Sequence, residues 1–247
     1  MIFFSALALP ILFSAASSFY LNDTIPMEME AAPLREEEME LIKKGERDLT
    51  TMVTYSIKVY VTPEVVAEYS NYTESVEYLI EIVNNQYKRS KIPIKAKLHC
   101  IEETQTSEAE GMNEWEVFTK YKGAIEKLRG SADVAALFGT NVAGGAAWSS
   151  NPPNGNTMVL VNNLQQSLHT RIVFGHELGH TFGAKHEDGF RFKVGEKQLG
   201  TLMHTAETEG HCCTDDYGFY SNPEVKINGT ATGDEKHNVA AMIRKHR

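Results

Sequence analysis

The sequence predicts a mixed α/β fold of the α+β kind: a twisted sheet with helices, a histidine-bearing helix and a loop-rich C-terminal part. Three observations carry this. Residues 53–61, VTYSIKVYV, alternate apolar and polar side chains with the period of two that marks a strand. Residues 73–89 then place Val76, Leu79, Ile80, Val83 and Tyr87 at helical spacing. The two periods continue to take turns along the chain, which is the signature of strands connected through helices.

In the first strand Val53, Tyr55, Ile57, Val59 and Val61 form the inward set, and Thr54, Ser56, Lys58 and Tyr60 the outward one. Residues 92–100 alternate again through Ile94, Ala96 and Leu98. A helix follows over about 113–129, with Trp115, Phe118, Ile125 and Leu128 inward and Gly130 as its stop. Residues 132–140 read as a buried strand, and 157–163 as another. Between them lies the Gly-rich run NVAGGAAW, in which Gly144, Gly145 and Ala146 are candidates for an edge strand that pairs with an extended substrate backbone. The next helix, about 168–182, carries histidines. Beyond it periodicity fades into loops until a last helix, about 234–246, with Val239, Met242 and Ile243.

The chain has 247 residues, room for one substantial domain plus a processed segment. Residues 1–18 are apolar without side-chain charge and end in small residues, as a signal peptide does, although the usual basic start is missing. Residues 19–48 are Glu-rich and read as a short acidic pro-segment or arm, leaving 49–247 as the main domain. No second long apolar run follows, so a secreted, soluble product without a membrane span is expected. The formal charge is −9 and no Lys/Arg cluster stands out, which argues against nucleic acid as a partner. Asn22, Asn71 and Asn228 each begin an N-x-S/T triplet, a candidate glycosylation site in a secreted chain. Of the three cysteines, a bridge is expected from Cys100 to either Cys212 or Cys213.

The chemistry gathers in residues 173–188, VFGHELGHTFGAKHED. His176 and His180 are four apart, so a helix sets both imidazoles on one face, one turn apart, where they can grip one ion. A continuing helix would carry His186 away. Gly183 can take a left-handed conformation, end the helix and return the chain toward the ion. Three imidazoles leave a fourth tetrahedral position open, the mark of a catalytic rather than a structural Zn²⁺ site. Glu177 stands beside the ion rather than on it, placed to take a proton from an activated water. His204 and His211 are rival ligands without helical register to His176.

HELGHTFGAKH resembles the zinc motif of the metzincin metalloendopeptidases. GTLMHT, with Met203 seventeen residues after His186, resembles their methionine turn, which implies that Met203 supports the histidines without binding the metal. ADVAALFGTNVAGGAAW and YGFYSNPEV are similar to segments of the adamalysin/reprolysin group. That group usually places Asp after the third histidine; here Glu187 stands there, as in astacins, and Asp188 follows. Astacins put Tyr two residues after the methionine, where this chain has Thr205. The resemblance implies a monomeric secreted endopeptidase with one catalytic zinc, acting on protein or peptide substrates, of the stand-alone kind found in arachnid venom or saliva. It leaves a structural calcium site open, and implies that residues 204–220 wall the pocket for the side chain after the scissile bond. A non-catalytic binding protein or toxin on the same scaffold is the alternative, disfavoured by the intact Glu177.

Overall fold

A computed structural model of the chain describes residues 51–105, 114–140, 144–148, 157–162, 164, 168–204 and 218–246. The expected signal peptide and acidic arm, Asn22, Thr205, His211, Cys212 and Cys213 lie outside the described residues.

Among the described residues the main sheet has five strands in the order β2-β1-β3-β5-β4. They are β1 (Val53–Val61), β2 (Ile94–Glu103), β3 (Val134–Gly139), β4 (Gly145–Ala147) and β5 (Thr157–Asn162). Strands β2, β1, β3 and β5 run parallel, and β4 pairs antiparallel to β5 at the edge. Helices α1 (Pro63–Glu68) and α2 (Tyr72–Arg89) connect β1 to β2, and α3 (Glu114–Leu128) connects β2 to β3. The first crossover moves outward from β1 and the second steps back across it. Right-handed connections in opposite directions must use opposite faces of the sheet.

That rule explains where the single-strand pattern misleads. Tyr60, expected outward, is buried, because α3 covers its face with Val117, Phe118, Tyr121 and Ile125. Trp115 and Leu128, expected inward, are 56% and 52% exposed. The inward stripe of α3 is set by residues 117, 118, 121 and 125, which leaves Trp115 stacked on Phe118 at the helix flank with ring centroids 5.3 Å apart. The other face of the sheet is covered by α2, by α4 (Leu168–Thr181) and by α5 (Val239–His246), in one core with Tyr87, Phe174, Leu178, Phe182 and Tyr220.

Two close approaches fix α4. A Cβ on Gly175 would run into the Gln86 side chain of α2. Tyr220 Oη donates to the Gly175 carbonyl at 2.6 Å, and its ring stacks on Tyr87. The last helix begins at Val239, later than expected, because Asp234 accepts from the backbone N–H groups of Lys236 and His237 in a turn and Asn238 caps the helix by accepting from Ala241 N–H. The region after the histidines is not all loop: β6 (Arg191–Val194) and β7 (Lys197–Gly200) form a hairpin, and β8 (Lys226–Ile227) and β9 (Thr230–Ala231) another. Gly195 has φ +61 in the first turn; Asn228 and Gly229 have φ +47 and +80 in the second. Exposed Asn228 is thus a hairpin tip, and Asn71 is exposed just before α2. Among the described residues Cys100 is a free, half-buried thiol; the bridge expected from it runs to Cys212 or Cys213, which lie outside the described residues. No helix among the described residues is long and apolar enough to cross a membrane.

Candidate metal and active site

Helix α4 ends as the Gly183 argument requires. Gly183 has φ +87. Its N–H donates to the His180 carbonyl at 2.9 Å, and Ala184 N–H donates to the Gly179 carbonyl at 3.3 Å. This pair of bonds is a Schellman motif, which satisfies helix carbonyls and reverses the chain. The reversed chain does more than deliver His186. It presents the Ala184 carbonyl to His180 Nδ1 at 2.6 Å. A short 3-10 turn, His186–Asp188, follows. Asp188 holds that turn by accepting from Lys185 N–H at 2.7 Å, and Ser221 Oγ donates to its carbonyl. Glu187, the residue that departs from the reprolysin pattern, is exposed, and its 3.4 Å contact with Lys185 is a surface ion pair of little energetic weight.

His176, His180 and His186 converge, with ligand atoms all within 4.8 Å of one another. His180 Nε2 lies 3.0 Å from His176 Nε2 and 3.2 Å from His186 Nε2. Exposure rises along the triad, from enclosed His176 through half-buried His180 to exposed His186. His176 Nδ1 lies 2.6 Å from the Leu202 carbonyl. A carbonyl only accepts, so Nδ1 of both His176 and His180 carries the proton and each Nε2 keeps its lone pair. Burial, reinforced by the neighbouring His180, pushes the His176 pKa down to about 3, and burial also lowers that of His180.

Neutral imidazoles with lone pairs aimed at one point fit a cation. Two nitrogens about 2.0–2.1 Å from one tetrahedral ion lie about 3.3 Å apart. The observed spacing is close to that, so the donor set fits zinc. Among the described residues no other group of three His, Cys, Asp or Glu side chains is gathered this way. His204 stands apart from the triad; it lies against Gly189 and Gly200.

Met203 is fully buried beneath α4, where a Cβ on Gly179 would strike its Sδ. Its turn is closed by His204 N–H donating to the Thr201 carbonyl at 2.9 Å, and Phe190 N–H donates to Thr201 Oγ1. A Cβ on Gly189 would collide with the turn's backbone. Sequence reasoning missed the Leu202 and Ala184 carbonyls that orient the histidines, and also Gly179, Gly189 and Tyr220. Backbone acceptors have no side-chain signal, but the two glycines stood in plain view at positions of close approach.

Glu177 is buried beside the triad, and a Cβ on Gly145 would lie 2.6 Å from Glu177 Cγ and 2.7 Å from Val173 Cγ1. The edge strand β4 therefore passes directly over the carboxylate. Gly144 precedes that strand, and Ala146 is buried against α3. A cavity of about 460 Å³ opens there, lined by Gly145, Ala147, Glu177, His180 and His186 among others.

A family model described as Reprolysin_5, metallo-peptidase family M12, matches residues 51–231. The chain belongs to metallopeptidase family M12. The match spans the sheet, the histidine helix and the methionine turn, and membership makes the chain a peptidase by family with a histidine triad suited to zinc. No curated protein matches. A solved structure titled "Structure of a chaperone-substrate complex" is similar with a TM-score of 0.59 and 16% identity; the likeness covers 78% of this chain and 34% of that one. It shows a shared fold alone, and this chain spans about a third of that chain's length.

Three expected results follow from the geometry. Gly183→Val places a β-branched residue at φ +87, so His186 and the Ala184 carbonyl are both displaced. Bound zinc after dialysis should fall well below one per chain; full occupancy would show that the turn tolerates a side chain. Gly145→Ala drives a methyl into Glu177, which should keep zinc but cut kcat by up to about 100-fold. Unaltered kcat would mean that β4 yields freely. The third concerns pH. His176 and His180 bind protons less readily folded than unfolded, where a histidine titrates near 6.5. The contribution of His176 to stability is therefore complete above about pH 6.5 and is lost as pH falls toward about 3, and that of His180 weakens in the same direction. The urea midpoint of metal-free protein should drop between pH 7 and 5, and a flat profile would contradict the buried neutral imidazoles.

Proposed function

We propose that this M12 chain is a secreted zinc-dependent endopeptidase with Glu177 as general base. The observation that supports it best is the convergence of three Nε2 atoms beside a buried carboxylate, in a cleft bordered by a sheet edge. Bound zinc supplies Lewis acidity, lowering the pKa of a water and stabilising negative charge on the scissile carbonyl oxygen.

The protein's own residues do the rest. His176, His180 and His186 hold the metal, the first two locked in the right tautomer by the Leu202 and Ala184 carbonyls. Met203 packs beneath them without acting as a ligand. Glu177 takes the proton from the attacking water and delivers it to the leaving amine. Its burial under Gly145 keeps it aimed at the cleft. Gly144, Gly145 and Ala146 offer backbone groups to an extended substrate. Residues 1–18 as a signal peptide, 19–48 as a removable arm, and glycosylation at Asn71 and Asn228, both exposed, complete the secreted reading. Cleavage of an unbiased peptide library, abolished by a chelator and restored by zinc, tests the proposal. A zinc-loaded protein that cleaves no peptide overturns it.

A further inference from the structure

The chain has two tryptophans, and both lie exposed on the catalytic cleft. Trp115 is 56% and Trp148 47% exposed, two of the four exposed large apolar side chains among the described residues. Indoles left in water at a cleft are a cost to solubility unless something covers them. Both are held in place by α3. Trp115 stacks on buried Phe118, ring centroids 5.3 Å apart and planes within 17°. Lys122 Nζ sits 3.3 Å from the Trp148 ring centroid, a cation–π contact. Residues 115, 118 and 122 share one face of the helix, so the two indoles form a prearranged wall.

Resting on the peptidase reading above, we propose that Trp115 and Trp148 form an aromatic subsite that selects a large apolar side chain from the three substrate residues before the scissile bond. The direction follows from β4. Gly145 stands over Glu177, so the reacting carbonyl lies level with the start of the strand. A substrate added antiparallel, the slightly stronger pairing, runs its N-terminal residues toward Ala147 and Trp148. An aromatic side chain there stacks on indole and is shielded from water. A basic side chain meets Lys122 and Lys185 and is disfavoured.

The test uses the zinc-loaded protein and tryptophan-free peptides that differ only at one of those three positions, as Phe, Ala or Lys. The wild type should prefer Phe over Ala in kcat/KM. Trp115→Ala and Trp148→Ala should each shrink that ratio about 3- to 10-fold, mainly through KM, with zinc content retained. Trp148→Phe should restore most of it, which a merely structural role would not explain. An unchanged ratio in both alanine variants, or a Phe preference only after the scissile bond, overturns the proposal. Because the wall holds the chain's two tryptophans, intrinsic fluorescence reads it without turnover. In zinc-loaded Glu177→Gln the Phe peptide should shift the emission and the Ala peptide should not. If the wild type cleaves nothing, the peptidase reading fails while this titration still decides the subsite; equal or absent shifts sink it.

Discussion

Glu177→Gln should leave zinc content and thermal stability near wild type and lower kcat by about 10²- to 10⁴-fold, the range that a positioned base contributes. Glutamine keeps the shape that packs under Gly145 and beside Val173, so the edge strand stays where it is. What it removes is the capacity to accept a proton. The loss should appear in kcat rather than KM, because the carboxylate acts on the water and the departing amine rather than on substrate binding. Near-wild-type turnover in a fully zinc-loaded Gln variant would remove Glu177 from the mechanism.

His186→Ala should weaken zinc binding more than about 100-fold, beyond what loss of a supporting hydrogen bond behind a ligand does. His186 is exposed, so the truncation opens no core cavity, and the fold should survive it. His204→Ala should leave the metal in place, because His204 lies against Gly189 and Gly200 and outside the triad. Bound zinc after dialysis against a weak chelator reads both variants side by side. Zinc retained by His186→Ala and lost by His204→Ala would move the metal site to the methionine turn and undo the assignment.

The strands and helices that alternate through the first half were legible because each buries one periodic face. Val76, Leu79, Ile80, Val83 and Tyr87 are all in the core. Tyr60 was not legible because its burial depends on which face of the sheet receives α3, and Trp115 and Leu128 were not because the sheet takes the stripe of α3 set by Val117, Phe118, Tyr121 and Ile125. The hairpin 191–200 was missed although Phe192, Val194 and Leu199 alternate across it. Four-residue strands are too short for their period to stand out from loop.

By itself the sequence determined which histidines gather at the site. The spacing of His176, His180, Gly183 and His186 carries the whole geometric argument, because a helix repeats every turn and glycine alone turns left at little cost. The tertiary structure decided what holds and surrounds those side chains. The Leu202 carbonyl that fixes His176 comes from a turn 26 residues away, and the strand over Glu177 from another element altogether. It also turned two tryptophans, one of them expected in the core, toward the cleft. Local pattern encodes local geometry; contacts between distant backbone groups leave no periodic trace, so only the packed chain reveals them.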